Sequence, residues 1–481
     1  MTPPVSSLLP GVKMRSESAM TRVAFVSLGC AKNLVDSEKM LGQLAEADCI
    51  ITGDHCDADV MVINTCGFLE ASRTEADDCI REAVRQKTAG RLKRVVVAGC
   101  LVQRDRETIL DRIEGIDSLV GTNNRDDIVR AVLGRHTPSS PLKNGRGRRV
   151  KTPDVYLSDY HPFVQLDFAR LRLTPRHYAY LRISEGCDQK CTFCTIPSIR
   201  GRMHCKPPSV VLAEARELVS DGAVEISLIG QDTTSYGLGE DPMEGGLAAL
   251  LRQLDKVEGL HWIRLMYVYP SVLTDDILDA IADCEHVCKY IDIPLQHIND
   301  RMLKAMHRRI TRAQTEALLD RIRRRIPGVT IRTTLIAGFP GETDAEFEEL
   351  LEFIEGFRFD ALGVFRYSRE PETPAGRMRD QVDEQVKAER VDLLMSTQQR
   401  VAFALADERT GLRFRVLVDQ GVKPNVAAAR HQGQAPTVDS VTYIQRCNAA
   451  PGEFITVRCT GRQDYDLVAT PTRVALPVLL T

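Results

Sequence analysis

Short apolar runs alternating with amphipathic stretches fill the chain from Thr21 to about residue 400. Val23-Ala-Phe-Val-Ser-Leu28, Val60-Met-Val-Ile-Asn64 and Arg94-Val-Val-Val-Ala98 are rich in β-branched residues, and segments of helical periodicity follow them, Val35–Glu46 and Glu70–Gln86 most clearly. Apolar runs of this length, bounded by helices, predict βαβ units and a parallel sheet. A weaker alternation continues through Ser118-Leu-Val-Gly121 and a helix beginning near Asn124. Six further runs begin at Tyr178, Val224, Trp262, Tyr290, Thr330 and Ala361, again separated by amphipathic stretches, and predict a partial (β/α)6 barrel. After a charged helix around Asp380–Asp407 the period changes to two, at Leu412, Val441 and Phe454, which predicts a small antiparallel β-barrel.

The fold class that follows is α/β. An N-terminal open parallel-sheet domain occupies residues 21–135 and a Pro-, Ser-, Arg- and Gly-rich linker residues 136–176. The partial barrel runs over 177–406 and the small antiparallel barrel over 407–476. Residues 1–20 read as a disordered extension, with Met14 and Met20 as alternative starts to Met1. Within the linker, the aromatics between Tyr156 and Phe168 are enough to pack on a neighbour.

Composition narrows the class of function. The chain of 481 residues is 43% hydrophobic, without an eighteen-residue apolar run or a secretory start, so a cytoplasmic protein with no membrane contact is expected. A net charge of −3 argues against a generally basic nucleic-acid binder. The basic stretches Arg308-Arg309, Arg321–Arg325 and Arg146, Arg148 and Arg149 read as solvated faces or loops. Fourteen cysteines in such a chain point to metal more than to disulfides.

Three of those cysteines fall within eight residues, Cys187-Asp-Gln-Lys-Cys191-Thr-Phe-Cys194, with no fourth Cys or His at zinc-like spacing. Soft thiolates in this uneven spacing favour a four-iron, four-sulfur cluster, and three ligands leave one iron open for reaction. The loop leaves the first barrel strand, which puts it on the carboxyl rim with Gly230-Gln231-Asp232, Gln296-His297 and Gly338–Thr343. A second triad is spread along the chain: Cys30, Cys66 and Cys100 each end one of the first three strands. The strand ends of an open parallel sheet share one edge, so these cysteines are expected to converge, with Gly29, Gly67 and Gly99 allowing close approach. Three unrelated cysteines in a loop are the alternative for Cys187–Cys194 and inert burial that for Cys30, Cys66 and Cys100, while Cys49, Cys56, Cys79, Cys205, Cys284 and Cys288 read as structural.

The Cys187–Cys194 spacing resembles the radical S-adenosylmethionine (SAM) signature, in which Phe193 fills the aromatic position before the last cysteine. The resemblance implies that the open iron chelates SAM and that one-electron reduction yields a 5′-deoxyadenosyl radical. Gln231 and Arg332 are the expected polar contacts to SAM, on positional grounds, with ordinary barrel packing as the alternative. Over essentially all residues after Thr21 the chain resembles the methylthiotransferases, which combine a three-cysteine cluster domain, a radical-SAM barrel and a C-terminal TRAM barrel. Ser27–Glu38, Glu185-Gly-Cys187, Ile196–Gly201, Tyr290–His297 and Gln434–Asp439 look like the branch that modifies a ribosomal-protein aspartate. Ala31 and Thr437 depart from that branch's usual Pro and Glu without touching a cluster ligand.

The resemblance implies methylthiolation of the β-carbon of an aspartate in small-subunit ribosomal protein twelve, free or in the subunit. It implies two 4Fe-4S clusters, one binding SAM and one carrying sulfur, and an external electron-donor protein. No side chain is assigned a catalytic role; the chemistry is the clusters'. Contacts from the TRAM segment to ribosomal RNA are a further expectation. The same chemistry on a tRNA adenosine is the nearest alternative, and a non-enzymatic RNA-binding iron–sulfur redox sensor a remote one.

Overall fold

The computed structural model describes residues 20–134, 152–159, 165–239 and 242–472. The extension expected before Met20, Arg146, Arg148 and Arg149, and the last positions of the span 407–476 lie outside them. The N-terminal sheet contains β1 (Arg22–Ser27), β2 (Ile50–Thr52), β3 (Val60–Thr65), β4 (Arg94–Gly99), β5 (Ser118–Val120) and β6 (Asp154–Tyr156). Their order is β2-β1-β3-β4-β5-β6, every pair parallel. All residues of β3 and β4 are buried, as the centre of a sheet covered on both faces requires. Val60 and Val62 pack with Met40 and Leu44 of α1 (Ala31–Glu46) on one face. Met61 and Ile63 pack with Ala76 and Ile80 of α2 (Glu70–Thr88) on the other.

Two strands of this sheet were not anticipated, β2 and β6. The second corrects the linker expected over 136–176: Asp154–Tyr156 pairs with β5, Arg94 of β4 forms an ion pair with Asp154, and Asp167 is buried. Three residues, Asp-Val-Tyr, are too few to show a period, so the added strand is invisible as a hydrophobic pattern.

The central sheet holds β7 (Tyr178–Arg182), β10 (Glu225–Ile229), β11 (Trp262–Leu265), β12 (Val287–Asp292), β13 (Thr330–Ala337) and β14 (Ala361–Arg366). Its order is β14-β13-β12-β11-β10-β7, all parallel, with β7 and β14 left as edges, which is the expected partial barrel. A small pair, β8 (Ser184–Glu185) and β9 (His204–Cys205), rises from the end of β7. Leu181, Ile226, Leu228, Ile263, Leu265, Ile291 and Leu335 pack outward under the helices. Tyr178, Tyr180, Trp262 and Tyr290 alternate to the inside and meet Leu417 and Ala435 of the last domain.

That domain is a closed barrel of β15 (Arg413–Lys423), β16 (Val426–His431), β17 (Thr442–Gln445), β18 (Phe454–Gln463) and β19 (Asp466–Pro471). It is antiparallel except for the β17–β19 pair, which is parallel. It closes the amino end of the partial barrel: Arg430 binds Glu225 at 2.6 Å, Arg264 donates to the Gln432 carbonyl at 2.6 Å, and Phe454 packs edge-on against Trp262. The carboxyl ends of the barrel strands are left to the N-terminal domain. Among the described residues no helix is long and apolar enough to cross a membrane.

Candidate metal centres

The N-terminal sheet reverses its strand order between β1 and β3, the crevice where ligands of open α/β sheets bind. Cys30 follows β1, Cys66 follows β3, and Cys100 opens α3 (Cys100–Asp105) directly after β4. The expected convergence is present. Gly29 has a φ of +92°, and a Cβ there would lie 2.8 Å from the Cβ of Cys66. Gly99 has a φ of +98°, and its Cβ would lie 2.7 Å from the Thr65 carbonyl oxygen. Side chains at either position would spread the strand ends apart.

The three thiols sense one another's charge. Burial pushes Cys100 up to about 12, and the neighbouring Cys30 and Cys66 add to the rise against the pull of Arg200. Burial likewise raises Cys66. At Cys30 solvent reaches the side chain while protein surrounds it at longer range. Desolvation there is outweighed by Lys32, Arg200 and the backbone N–H groups of Asn33 and Lys32, and the thiol falls below its ordinary value. The Lys32 ammonium stands 3.4 Å from the ring centroid of Tyr267, on the barrel rim after β11.

On that rim, Cys187, Cys191 and Cys194 form the second triad. Burial pushes Cys187 and Cys194 up to about 12, and both are raised further by Cys191. Arg308 corrects the expectation of a solvated basic face. It is buried, lies 4.2 Å from the Tyr269 ring and donates to the Cys191 sulfur at 3.6 Å, because the rim turn before helix Arg312–Arg325 folds inward. Phe193 packs with Met302, Met306, Phe339 and Tyr367. Gln231 donates to Glu185 at 2.7 Å, and its buried carbonyl oxygen has no hydrogen-bond partner. Arg332 stands apart from these. Its guanidinium binds Asp292 at 2.7 Å and Asp439 at 3.3 Å, facing the C-terminal barrel. Gly338–Thr343 is a tight turn that leads into a capping box at Thr343 and Glu346.

A buried ion network, unforeseen in the sequence, joins the N-terminal domain to the barrel rim. Asp36 of α1 accepts from Arg125 at 3.0 Å, Arg182 at 2.8 Å and Arg200 at 2.9 Å. Asp167 accepts from Arg125 at 2.6 Å, Arg182 at 2.7 Å and Lys206 at 2.8 Å. Burial opposes ionisation of both carboxylates, but the surrounding cations win: Asp36 is held below the usual carboxylate range and Asp167 well below it. Arg200 ends the short helix Ile196–Arg200 that follows Cys194, and its Nη2 and Nε lie 3.0 and 3.3 Å from the Cys100 sulfur. Glu185 accepts from both Arg200 and Gln231, so one chain of contacts runs from Cys100 to the barrel rim. On the far edge, Glu370 after β14 receives Arg73 and Arg104 of the N-terminal domain, each at 2.7 Å. The N-terminal domain thus spans the barrel's carboxyl end from β7 to β14.

The donor sets fit iron–sulfur clusters on chemical grounds. Each is three soft thiols in a partly enclosed site, donors that give up their protons on binding a metal. Among the described residues no three His, Cys, Asp or Glu side chains converge on a point suited to one metal ion. A cluster instead spreads its ligands over separate irons. Arg200 and Arg308 supply positive charge beside one sulfur of each triad.

Known proteins agree with this architecture. Residues 22–121 match a family described as Uncharacterized protein family UPF0004, residues 181–354 the Radical SAM superfamily and residues 410–471 the TRAM domain. The fold is similar to that of the radical S-adenosylmethionine methyltransferase TsrM from Kitasatospora setae, with a TM-score of 0.54 at 16% identity over 85% of this chain and 80% of that one. The chain is 43% identical over 471 residues to ribosomal protein uS12 methylthiotransferase RimO of Anaeromyxobacter sp. (strain K), covering 95% of this chain and 96% of the relative. It is 40% identical to the protein of the same name from Geotalea uraniireducens (strain Rf4), covering 94% and 99%. The corresponding protein of Clostridioides difficile (strain 630) is 38% identical, covering 93% and 98%. Full-length kinship at this level, on a fold that carries both cysteine triads, makes the chain a member of the ribosomal protein uS12 methylthiotransferase family of radical SAM enzymes.

Proposed function

We propose that this protein methylthiolates the β-carbon of an aspartate in small-subunit ribosomal protein uS12, with Cys30, Cys66 and Cys100 holding one 4Fe-4S cluster and Cys187, Cys191 and Cys194 another. The observation that carries this is the buried contact of Arg200, from the segment after Cys194, with Cys100 of the N-terminal triad and with Glu185, two residues before Cys187. When bound, the clusters and SAM supply the sulfur, the methyl group and the hydrogen-abstracting power that an unactivated C–H bond demands. The chain's own residues shape the space around them. Gln231 offers a buried acceptor without a partner to SAM, and Phe193 lines the same rim with an apolar wall. Arg332, held by Asp292 and Asp439 toward the C-terminal barrel, stands outside this set. The C-terminal barrel closes the amino end of the partial barrel with apolar packing.

An external electron-donor protein, cytoplasmic action on uS12, free or in the subunit, and contacts from the TRAM domain to ribosomal RNA belong to the same proposal. The test is anaerobic reconstitution with reductant, sulfide and methyl-labelled SAM in the presence of both small ribosomal subunits and tRNA, followed by mass spectrometry. Label on a uS12 aspartate is expected. Label on a tRNA adenosine instead would overturn the substrate, and absence of SAM cleavage by the loaded, reduced protein would overturn the reaction class.

A further inference from the structure

Arg200 belongs to the barrel domain, yet two of its three guanidinium nitrogens face a cysteine of the other domain. Nη2 is 3.0 Å and Nε 3.3 Å from the Cys100 sulfur, while Nη1 lies 2.9 Å from Asp36 and 3.3 Å from Glu185. The side chain is 5% exposed. A guanidinium serving only to clamp two domains would spend its fork on the carboxylates, as Arg182 does with Asp36, Asp167 and Glu185. Arg200 gives most of its donors to sulfur, a weak acceptor as a thiol and a good one as a thiolate. Hydrogen bonds to ligand sulfur, together with local charge, set the reduction potential of an iron–sulfur cluster, and a buried cation is little screened by salt.

We propose that Arg200 is a positioning residue for the N-terminal cluster, donating two N–H groups to the Cys100 thiolate and thereby raising the cluster's reduction potential. The barrel domain would then tune a cofactor whose ligands all lie in another domain. This rests on the assignment of Cys30, Cys66 and Cys100 as cluster ligands.

The test uses the full chain with Cys187, Cys191 and Cys194 replaced by Ala, so that only the N-terminal site can load. After anaerobic reconstitution, iron and sulfide content is measured, and a redox titration followed by electron paramagnetic resonance gives the midpoint potential. In this background Arg200→Met is expected to keep its iron and shift the midpoint to a more negative potential. Arg200→Lys, which keeps the charge with fewer donors, is expected to recover part of the shift. Arg125→Met removes a guanidinium from the same buried network, where it contacts Asp36, Asp167 and the Leu166 carbonyl, and is expected to leave the potential in place. An unchanged potential in Arg200→Met, or an equal shift in Arg125→Met, overturns the proposal while leaving the cluster assignment standing. If Arg200→Met does not fold, Arg200→Lys decides alone, and a parental potential there overturns the proposal. A parent background that takes up no iron overturns both.

Discussion

Cys30 and Cys100 face the same space but differ sharply as acids, because one stands at the mouth of the crevice beside Lys32 and Arg200 while the other is buried in the turn from β4 to α3. The thiolate is the reactive form, so metal-free protein at neutral pH should be alkylated by iodoacetamide at Cys30 at least about tenfold faster than at Cys66, Cys100, Cys187 or Cys194. Peptide mass spectrometry reads the order directly, and equal rates would contradict the electrostatic picture. The network carboxylates give a second expectation. Asp36 and Asp167 ionise below their unfolded values, so their stabilisation is complete above the unfolded carboxylate pKa, about 3.9, and is lost as pH falls through the lower folded values. Asp167→Asn should cost about 3–5 kcal/mol. The difference in Tm from the parent should hold steady down to about pH 5 and narrow only below about pH 4. The six thiols were legible in the sequence, three by tight spacing and three by their place at strand ends. Arg200, Arg182 and Asp36 were not, since a charged residue in a string carries no mark of burial. Arg200 sits inside Ile196–Gly201, a segment singled out for resemblance without a role for its arginine.

At the level of elements, the sheet turns are what make the proposed N-terminal cluster site out of ordinary βαβ units. Gly99→Ala would place a Cβ 2.7 Å from the Thr65 carbonyl in a backbone region unsuited to side chains. A cost of about 1–3 kcal/mol from the backbone alone is expected. Iron in the N-terminal site should fall while the barrel site still loads, which iron analysis in backgrounds lacking one or the other triad can separate. Apolar runs such as Val60–Ile63 and Val95–Ala98 were legible because parallel strands buried on both faces read as nearly continuous apolar stretches. Ile50–Thr52 and Asp154–Tyr156 were not, because three residues cannot display a period and their pairing depends on partners far along the chain.

Across the whole molecule, the two domains meet at both edges of the barrel, and sequence patterns say nothing of such docking. Glu370 is the anchor on the β14 side, 1% exposed and shared by Arg73, Arg104 and the Glu70 backbone N–H. Glu370→Ala leaves two arginines without their shared acceptor and should loosen that edge while sparing the residues around Cys187–Cys194. SAM cleavage is expected to continue while methylthio product per 5′-deoxyadenosine formed falls several-fold. Unchanged coupling between the two products would show that this edge does not hold the domains in register.

The buried network also orders events during synthesis. Asp36 precedes Arg182 by 146 positions and Arg200 by 164, and Cys100 precedes Arg200 by 100. A nascent chain emerging amino end first therefore displays all three early cysteines well before the guanidiniums that neutralise Asp36 and face Cys100 have been translated. Metal delivered at that moment would meet an unfinished cradle. A fragment cut after residue 135 should be a poor vessel for iron although it holds Cys30, Cys66 and Cys100.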